Sequence, residues 1–576
     1  MTGTYDTDES VAIVGIACLL PGAHTPDEFW AGLIAGEDHR TEGGREVFGT
    51  GPEVPGGWGD PEHRVTRVLG GFVEEPDVDL SGLRVPEEEL RGLDRTVHWS
   101  LHTVRQALAE VVGDEARERT GLVLGNYSFP TEASVRLCVP RVRQEVSEGL
   151  RAAGLLRDGH DPGAEPAPEN LWPFGQPVTV TADALGLGGP RVALDAACSS
   201  ALYGMSLARD YLLTGRADTM IAGAVCGPDP LLIHLSFSDL RAYPANGVSQ
   251  PFDGSSSGIT TGQGAGVLVL KRLSDAIRDG DTVHAVLESI GLTNDGAGKH
   301  LLSPNMRGQV ETYRRAYSRV DPADVDYIEC HATGTPVGDT TELRGLAEFF
   351  GERGTEPPLL GSVKGNVGHL LTVAGFTSVL KTVLALRHGR IPPTPGVGEL
   401  LRPEGAEHVA DRIVREELPW PEREGVRRGA VSAFGFGGTN AHMVLAGPEA
   451  ARSEDPDQGA RPERGTEDGA RSRGRNGRLA VTGLGVRVGS LSGTDALERA
   501  VRLGDPLPGE LPEDRWYGAE RLDIDPLHGT GAEGTEVRGA YIDDLEVRTR
   551  TLRLLPSELG QANPQHLALF EAAEQA

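Results

Sequence analysis

Only five of the 576 residues are cysteine (Cys18, Cys138, Cys198, Cys226 and Cys330), and they form no Cys-x-x-Cys pair or metal-ligand spacing. This argues against both a disulfide framework and a zinc site. Bases are scarce as well: 55 Lys and Arg face 85 Asp and Glu, a formal charge of −30 at pH 7. That balance argues against a surface built to track nucleic-acid phosphates. No long hydrophobic run is present. The stretch Val11 to Leu20 is too short to span a bilayer, and the N-terminus carries acids where a signal peptide needs bases. The expectation is a cytoplasmic protein with reduced thiols, no nucleic-acid partner and no membrane span. At 38% hydrophobic, the chain has room for a large core and for roughly two to four domains.

What the sequence does contain is a set of small-residue turns that follow short apolar runs. In Val192-Ala-Leu-Asp-Ala-Ala-Cys-Ser-Ser-Ala-Leu202 the turn delivers Cys198 to the start of a helical stretch. Unpaired N–H groups and the dipole there favour a thiolate, which attacks thioesters. A lone cysteine is more often a small core hydrophobe, so its partners decide. Two histidines occupy comparable turns: His331 in Tyr327-Ile-Glu-Cys-His-Ala-Thr-Gly-Thr-Pro-Val-Gly-Asp339, and His369 in Leu360-Gly-Ser-Val-Lys-Gly-Asn-Val-Gly-His-Leu370. A fourth stretch, Val431-Ser-Ala-Phe-Gly-Phe-Gly-Gly-Thr-Asn-Ala-His442, packs three glycines around aromatics, where backbone must approach something closely.

In this order and spacing the four motifs resemble the β-ketoacyl synthase family over about residues 9–447. Within it, Leu124-Gly-Asn-Tyr-Ser-Phe-Pro-Thr131, Leu292–Asn305 and His369-Leu-Leu-Thr-Val-Ala-Gly375 are similar to the first ketosynthase of iterative type I synthases that make polyunsaturated fatty acids or heterocyst-type glycolipid chains. The resemblance implies a decarboxylative Claisen condensation, with a malonyl thioester joined to an acyl chain held on Cys198. His331 and His369 would donate hydrogen bonds to the malonyl carbonyl. Lys364 would pair with Glu342 and orient His369, Thr333 and Thr335 would contact pantetheine, and the backbone N–H of Phe436, the gatekeeper, would join that of Cys198 in an oxyanion hole. No bound cofactor and no metal are implied, since the substrates ride on the phosphopantetheine of an acyl carrier protein. Histidine at the third position matches elongating members and differs from the Cys-His-Asn of priming ketosynthases. Cys330 reads as core filling, pointing away from His331 if that segment is extended. Gln263 and Ile259 depart from the family's usual Glu and Phe.

Acyl carrier proteins are acidic, so docking on this acidic chain would need a local basic patch. Arg136, Arg141, Arg143 and Arg151, and the pair Arg427-Arg428, are candidates.

Short apolar runs alternate with helical stretches, an α/β pattern with strands expected at Val11–Gly15, Gly121–Leu124, Arg191–Leu194, Thr219–Ala224, Gly266–Leu270, Val283–Ser289, Val325–Glu329 and Ala430–Ala433. The resemblance supplies the architecture: a thiolase-like five-layer fold of two βαβαβαββ halves, about 9–275 and 276–447. Residues 448–478 are charged, Gly-rich and nearly free of large apolar side chains, and read as a disordered linker. After it the chain begins again. Leu479-Ala-Val-Thr-Gly-Leu-Gly485 echoes Val11–Ala17, and Leu555–Gln565 echoes Val85–Arg95. Aligning Gly15 with Gly483 gives an offset of 468, and Asp94 with Asn563 gives 469. Residues 479–576 therefore look like the opening of a second, chain-length-factor-like ketosynthase domain, truncated before any active-site position. A homodimer, or pairing of the first domain with such a second one, is the expected assembly. The competing readings are an inactive chain-length-factor or scaffold subunit, which would lack the cysteine, and a thiolase, which does not decarboxylate.

Overall fold

A computed structural model describes residues 10–43, 69–112, 117–137, 167–244, 249–296, 303–453, 480–505, 509–510, 512, 538–542, 545 and 562–576. Two compact units divide the chain, 1–460 and 461–576.

In the first unit, ten apolar runs pair into one sheet. They are β1 (Val11–Leu19), β2 (Thr120–Asn126), β3 (Arg191–Leu194), β4 (Thr219–Cys226), β5 (Gly264–Arg272), β6 (Ala285–Asn294), β7 (Tyr327–Glu329), β8 (Leu359–Gly361), β9 (Arg428–Gly435) and β10 (Thr439–Ala446). Their order is β8-β7-β9-β10-β6-β1-β5-β4-β2-β3. Counted within each set of five, both halves run 3-2-4-5-1 from the edge inward, and the two first strands meet antiparallel, with Val11 opposite Leu287 and Ile13 opposite Ala285. In each half the second strand lies parallel to the third and fourth, while the fifth is antiparallel to the fourth and first.

Alternation along the strands sets the layers. Ala12, Val14, Leu122, Ile221 and Val267 face the outer helices α2 (Arg95–Leu108) and α3 (Gln176–Leu185), after α1 (Pro26–Ala35). Ile13, Val123, Ala222 and Leu268 face the opposite way, into a core shared with α4 (Ser200–Leu213) and α7 (Ala374–His388). α7 is buried at every residue from Ala374 to Leu386, as a helix enclosed in the core must be. On the far side α5 (Met306–Ala316) and α6 (Pro336–Arg353) cover the second half, over Ile328, Ala430 and Val444. These are the five layers of the thiolase-like fold. The eight expected strands form; β8 and β10 are additional.

The expected linker begins later than its composition suggested. Residues Glu449–Ser453 are helical, with Glu449 bonded to Arg427 at 3.0 Å and Ala450 and Ala451 packed on the outer core. The rest of that segment, 454–478, lies outside the described residues.

In the second unit, α8 (Thr494–Leu503) lies 468 residues after α1 at both ends (494 − 26 and 503 − 35), and each is closed by a left-handed glycine, Gly504 and Gly36. α9 (Pro564–Gln575) starts 469 residues after α2 (564 − 95), capped by Asn563 where α2 is capped by Asp94. The echo of β1 takes no strand conformation: residues 480–486 are irregular, and Val481 and Leu484 are 79% and 65% exposed, whereas β1 is buried throughout between two partner strands. Among the described residues no helix is long and apolar enough to cross a membrane.

Candidate active site

Cys198 sits where β3 turns into α4. The turn is tight enough to drive Ala197 to φ 51°, a left-handed conformation costing an L-residue about 1–2 kcal/mol. Local hydrogen bonds hold it: Asp195 accepts from the Ala197 N–H at 2.9 Å, Ser200 Oγ accepts from the Ala196 N–H at 2.8 Å, and Thr439 Oγ1 donates to the Ala196 carbonyl at 2.8 Å. Gly435 must be glycine, because a Cβ there would lie 2.7 Å from that carbonyl.

The thiol is buried, which pushes it up to about 11, against the opposing pull of the Phe436 backbone N–H and the charge of Lys364. Burial thus opposes the thiolate that the helix N-terminus favours.

His331 follows β7, and His369 follows the short helix Lys364–Val367. Their rings stand 5.6 Å apart at 89°, and the ligand atoms of Cys198, His331 and His369 all lie within 4.8 Å of one another. Both imidazoles are held neutral by burial and by the Lys364 charge, His331 well below its ordinary range and His369 down to about 3. His369 has a fixed tautomer. Leu371, itself at φ 52°, donates its N–H to His369 Nδ1 at 2.9 Å, so the proton of the neutral ring sits on Nε2. That arrangement makes a hydrogen-bond donor and opposes ligation of a metal through the same nitrogen.

Lys364 and Glu342 differ from expectation. Glu342 accepts the backbone N–H groups of His331 and Ala332, each at 2.8 Å, so it orients the His331 turn and forms no direct ion pair with Lys364. Burial lifts its carboxyl to about 7. Lys364, buried and lowered by desolvation, acts on the cysteine and both histidines through space.

Phe436 is 40% exposed, stacks on Phe237 at 6.1 Å, and is followed by Gly437 and Gly438 at φ 88° and 81°, a left-handed backbone that favours glycine. Thr333 and Thr335 line the same cavity of about 310 Å³ as Cys198, His331 and His369, their hydroxyls 3.0 Å apart. Ile259 lines it too, while buried Gln263 does not. Cys330 is fully buried, facing Ile328 and away from the cavity. The motif reading gave Asp339 no role, although its carboxylate collects the N–H groups of Phe252, Thr333 and Gly334 and is raised to about 6 by burial.

Of the basic candidates, Arg427 and Arg428 are tied to Glu449 and Glu288, and Arg136 to Glu132, so they offer no free positive patch. Arg141, Arg143 and Arg151 lie outside the described residues, as does Cys138.

The families described as "Beta-ketoacyl synthase, N-terminal domain" and "Beta-ketoacyl synthase, C-terminal domain" match residues 8–276 and 284–397. The chain belongs to the β-ketoacyl synthase family. The boundary between the two matches coincides with the helix Leu273–Asp279 that links the halves of the sheet. Among curated relatives, a component of the polyunsaturated fatty acid synthase of Thraustochytrium sp. is 34% identical over 588 residues, 99% of this chain and 27% of that protein. Pikromycin polyketide synthase component PikAIII of Streptomyces venezuelae is 34% identical over 460 residues, 76% of this chain and 28% of that protein. The chain thus spans about a quarter of the length of these relatives. A solved structure described as the PfaC keto synthase–chain length factor aligns with a TM-score of 0.82 at 37% identity, covering 96% of this chain and 59% of that one.

Proposed function

We propose that residues 9–447 act as a condensing enzyme of the β-ketoacyl-acyl-carrier-protein synthase type, extending a chain in polyketide or fatty-acid synthesis. The observation that carries this is the cluster of one cysteine and two neutral histidines within 4.8 Å, with His369 Nε2 set as a donor.

In this reading, Cys198 sulfur attacks the carbonyl of an acyl thioester; the carbon–sulfur bond to pantetheine breaks and the pantetheine thiol leaves with the proton. The malonyl thioester then enters along Thr333 and Thr335. Its bond to the carboxylate breaks, carbon dioxide departs, and the electron pair forms an enolate whose oxygen accepts N–H from His331 and His369. Stabilising that charge in a desolvated cavity is the main catalytic contribution. The enolate carbon attacks the Cys198 acyl carbonyl, the oxyanion accepts N–H from Phe436 and Cys198, and collapse releases a β-ketoacyl thioester and the cysteine sulfur. No bound cofactor takes part, because both substrates arrive on an acyl carrier protein.

Residues 479–576 are read as the start of a second, chain-length-factor-like domain, supported by the repeated helices at offsets 468 and 469. The first domain is read as pairing with such a domain or with its own copy, in a cytoplasmic setting. Edge strand β3, only partly buried, suits addition of a strand. Mass spectrometry after incubation with an acyl-carrier thioester tests the enzymatic reading. An acyl adduct on Cys198 is expected, and its absence refutes the nucleophile and favours a scaffold.

A further inference from the structure

We infer that the buried ion pair between Glu329 and Lys381 is a positioning element that keeps the charge of Lys364 directed at Cys198 and the two histidines. The inference rests on Cys198 as the nucleophile proposed above.

Glu329 closes β7 two residues before His331, and Lys381 lies in the middle of α7. Lys381 Nζ is 2.9 Å from Glu329 Oε2, both side chains are 0% exposed, and neither lines the cavity. Burying an ion pair is often no better for stability than an apolar pair of the same size. Stability therefore gives no account of it, whereas geometry does. The same carboxylate accepts the Tyr327 hydroxyl at 2.5 Å and the Val363 N–H at 2.5 Å. Val363 immediately precedes Lys364, so Glu329 stitches the strand that delivers His331 to the turn that delivers Lys364 and then His369.

Charge follows the same route. Glu329 is the strongest acidic influence on Lys364, and Lys364 in turn acts on Cys198, His331 and His369. The other titratable groups around the cluster are Asp195, Tyr127 and Cys226 on the Cys198 side, and Glu342, Asp339 and Cys330 on the Lys364 side. With Lys381 in contact, Glu329 is neutralised locally. Without it, Lys364 faces a bare buried carboxylate and supports less negative charge on sulfur.

The test is the pH dependence of Cys198 alkylation by iodoacetamide in the full chain, read by mass spectrometry of its peptide. In Lys381→Met the profile should move up by about half a pH unit or more. The double variant Glu329→Gln/Lys381→Met restores charge balance and keeps a carbonyl oxygen for the Val363 N–H, while its amide NH2 can donate to the Tyr327 hydroxyl, so its profile should return to that of the parent. An unshifted Lys381→Met, or a double variant shifted as far as the single one, overturns the inference. Should Lys381→Met not fold, the double variant decides alone: a parental profile is expected and a shifted one is fatal. Alkylation needs neither malonyl thioester nor carrier protein. Failure of the proposed reaction would show separately, as a parent chain that takes no acyl adduct.

Discussion

Replacing Cys198 and replacing either histidine should separate the two half-reactions. Cys198→Ala should lose acylation and condensation yet retain malonyl decarboxylation, since the donors to the enolate remain. Condensation at the parental rate would remove Cys198 from the mechanism. His331→Ala and His369→Ala should keep acyl transfer to Cys198, while decarboxylation falls on the order of a hundredfold, as for a lost oxyanion donor. Radiolabelled carbon dioxide release measures it. The pH dependence has a definite sign. With His369 held near 3, the folded chain binds fewer protons than the unfolded one between pH 3 and 6.5; its contribution to stability is present above 6.5 and lost as pH falls toward 3. Glu342, raised from 4.5 to about 7, runs oppositely, contributing below 4.5 and losing that contribution as pH rises through 7. Carbon dioxide release by Cys198→Ala should accordingly show no histidine step between about pH 8 and about pH 5 wherever the fold holds, any step there belonging to Glu342 or Asp339. A step near pH 6.5 that persists in Glu342→Gln and in Asp339→Asn would mean that the histidines titrate as free ones do.

Among the elements, the turn between β3 and α4 is the sensitive one. Ala197→Gly removes the penalty at φ 51° and should leave acylation intact with equal or slightly raised stability. Ala197→Val, β-branched and ill suited to that conformation, should cost about 1–3 kcal/mol and much of the acylation rate. Urea midpoints with adduct mass spectrometry would check both, and a tolerant valine variant would show that the strain plays no part. The same locality explains what could be read from sequence. Cys198, His331 and His369 were legible because each ends a short apolar run in a small-residue turn. β10 was not, because Asn440 and His442 interrupt its apolar pattern; His442 is buried against Ser432 and Tyr317, a tertiary arrangement with no local trace. β8 is three residues long, too short for any period. Glu329, Lys381 and Asp339 escaped because their partners are backbone N–H groups or charges brought together only by the fold.

For the molecule as a whole, the two units should differ in protection. The helix Glu449–Ser453 is tied to the first unit, whereas Val481, Leu484, Val501, Leu503 and Leu569 of the second are each more than 60% exposed. Limited proteolysis should release a fragment ending beyond Ser453 that still acylates at Cys198, and hydrogen exchange should be faster in α8 than in α1. A tail as protected as the core would mean that it completes the first unit. Light scattering of the full chain should give a dimer at micromolar concentration, and a strict monomer would remove strand addition at β3.

The repeated 3-2-4-5-1 order also carries a symmetry. The third strand of the first half leads to Cys198, and the third strand of the second half leads to Lys364; the second strand of the first half ends at Asn126, and that of the second leads to His331. Equivalent loops of the two halves thus carry unlike side chains. In the proposed reaction the nucleophile comes from one half and the enolate donors from the other. Neither half holds a complete site, and the helix Leu273–Asp279 is a seam across the chemistry as well as across the fold.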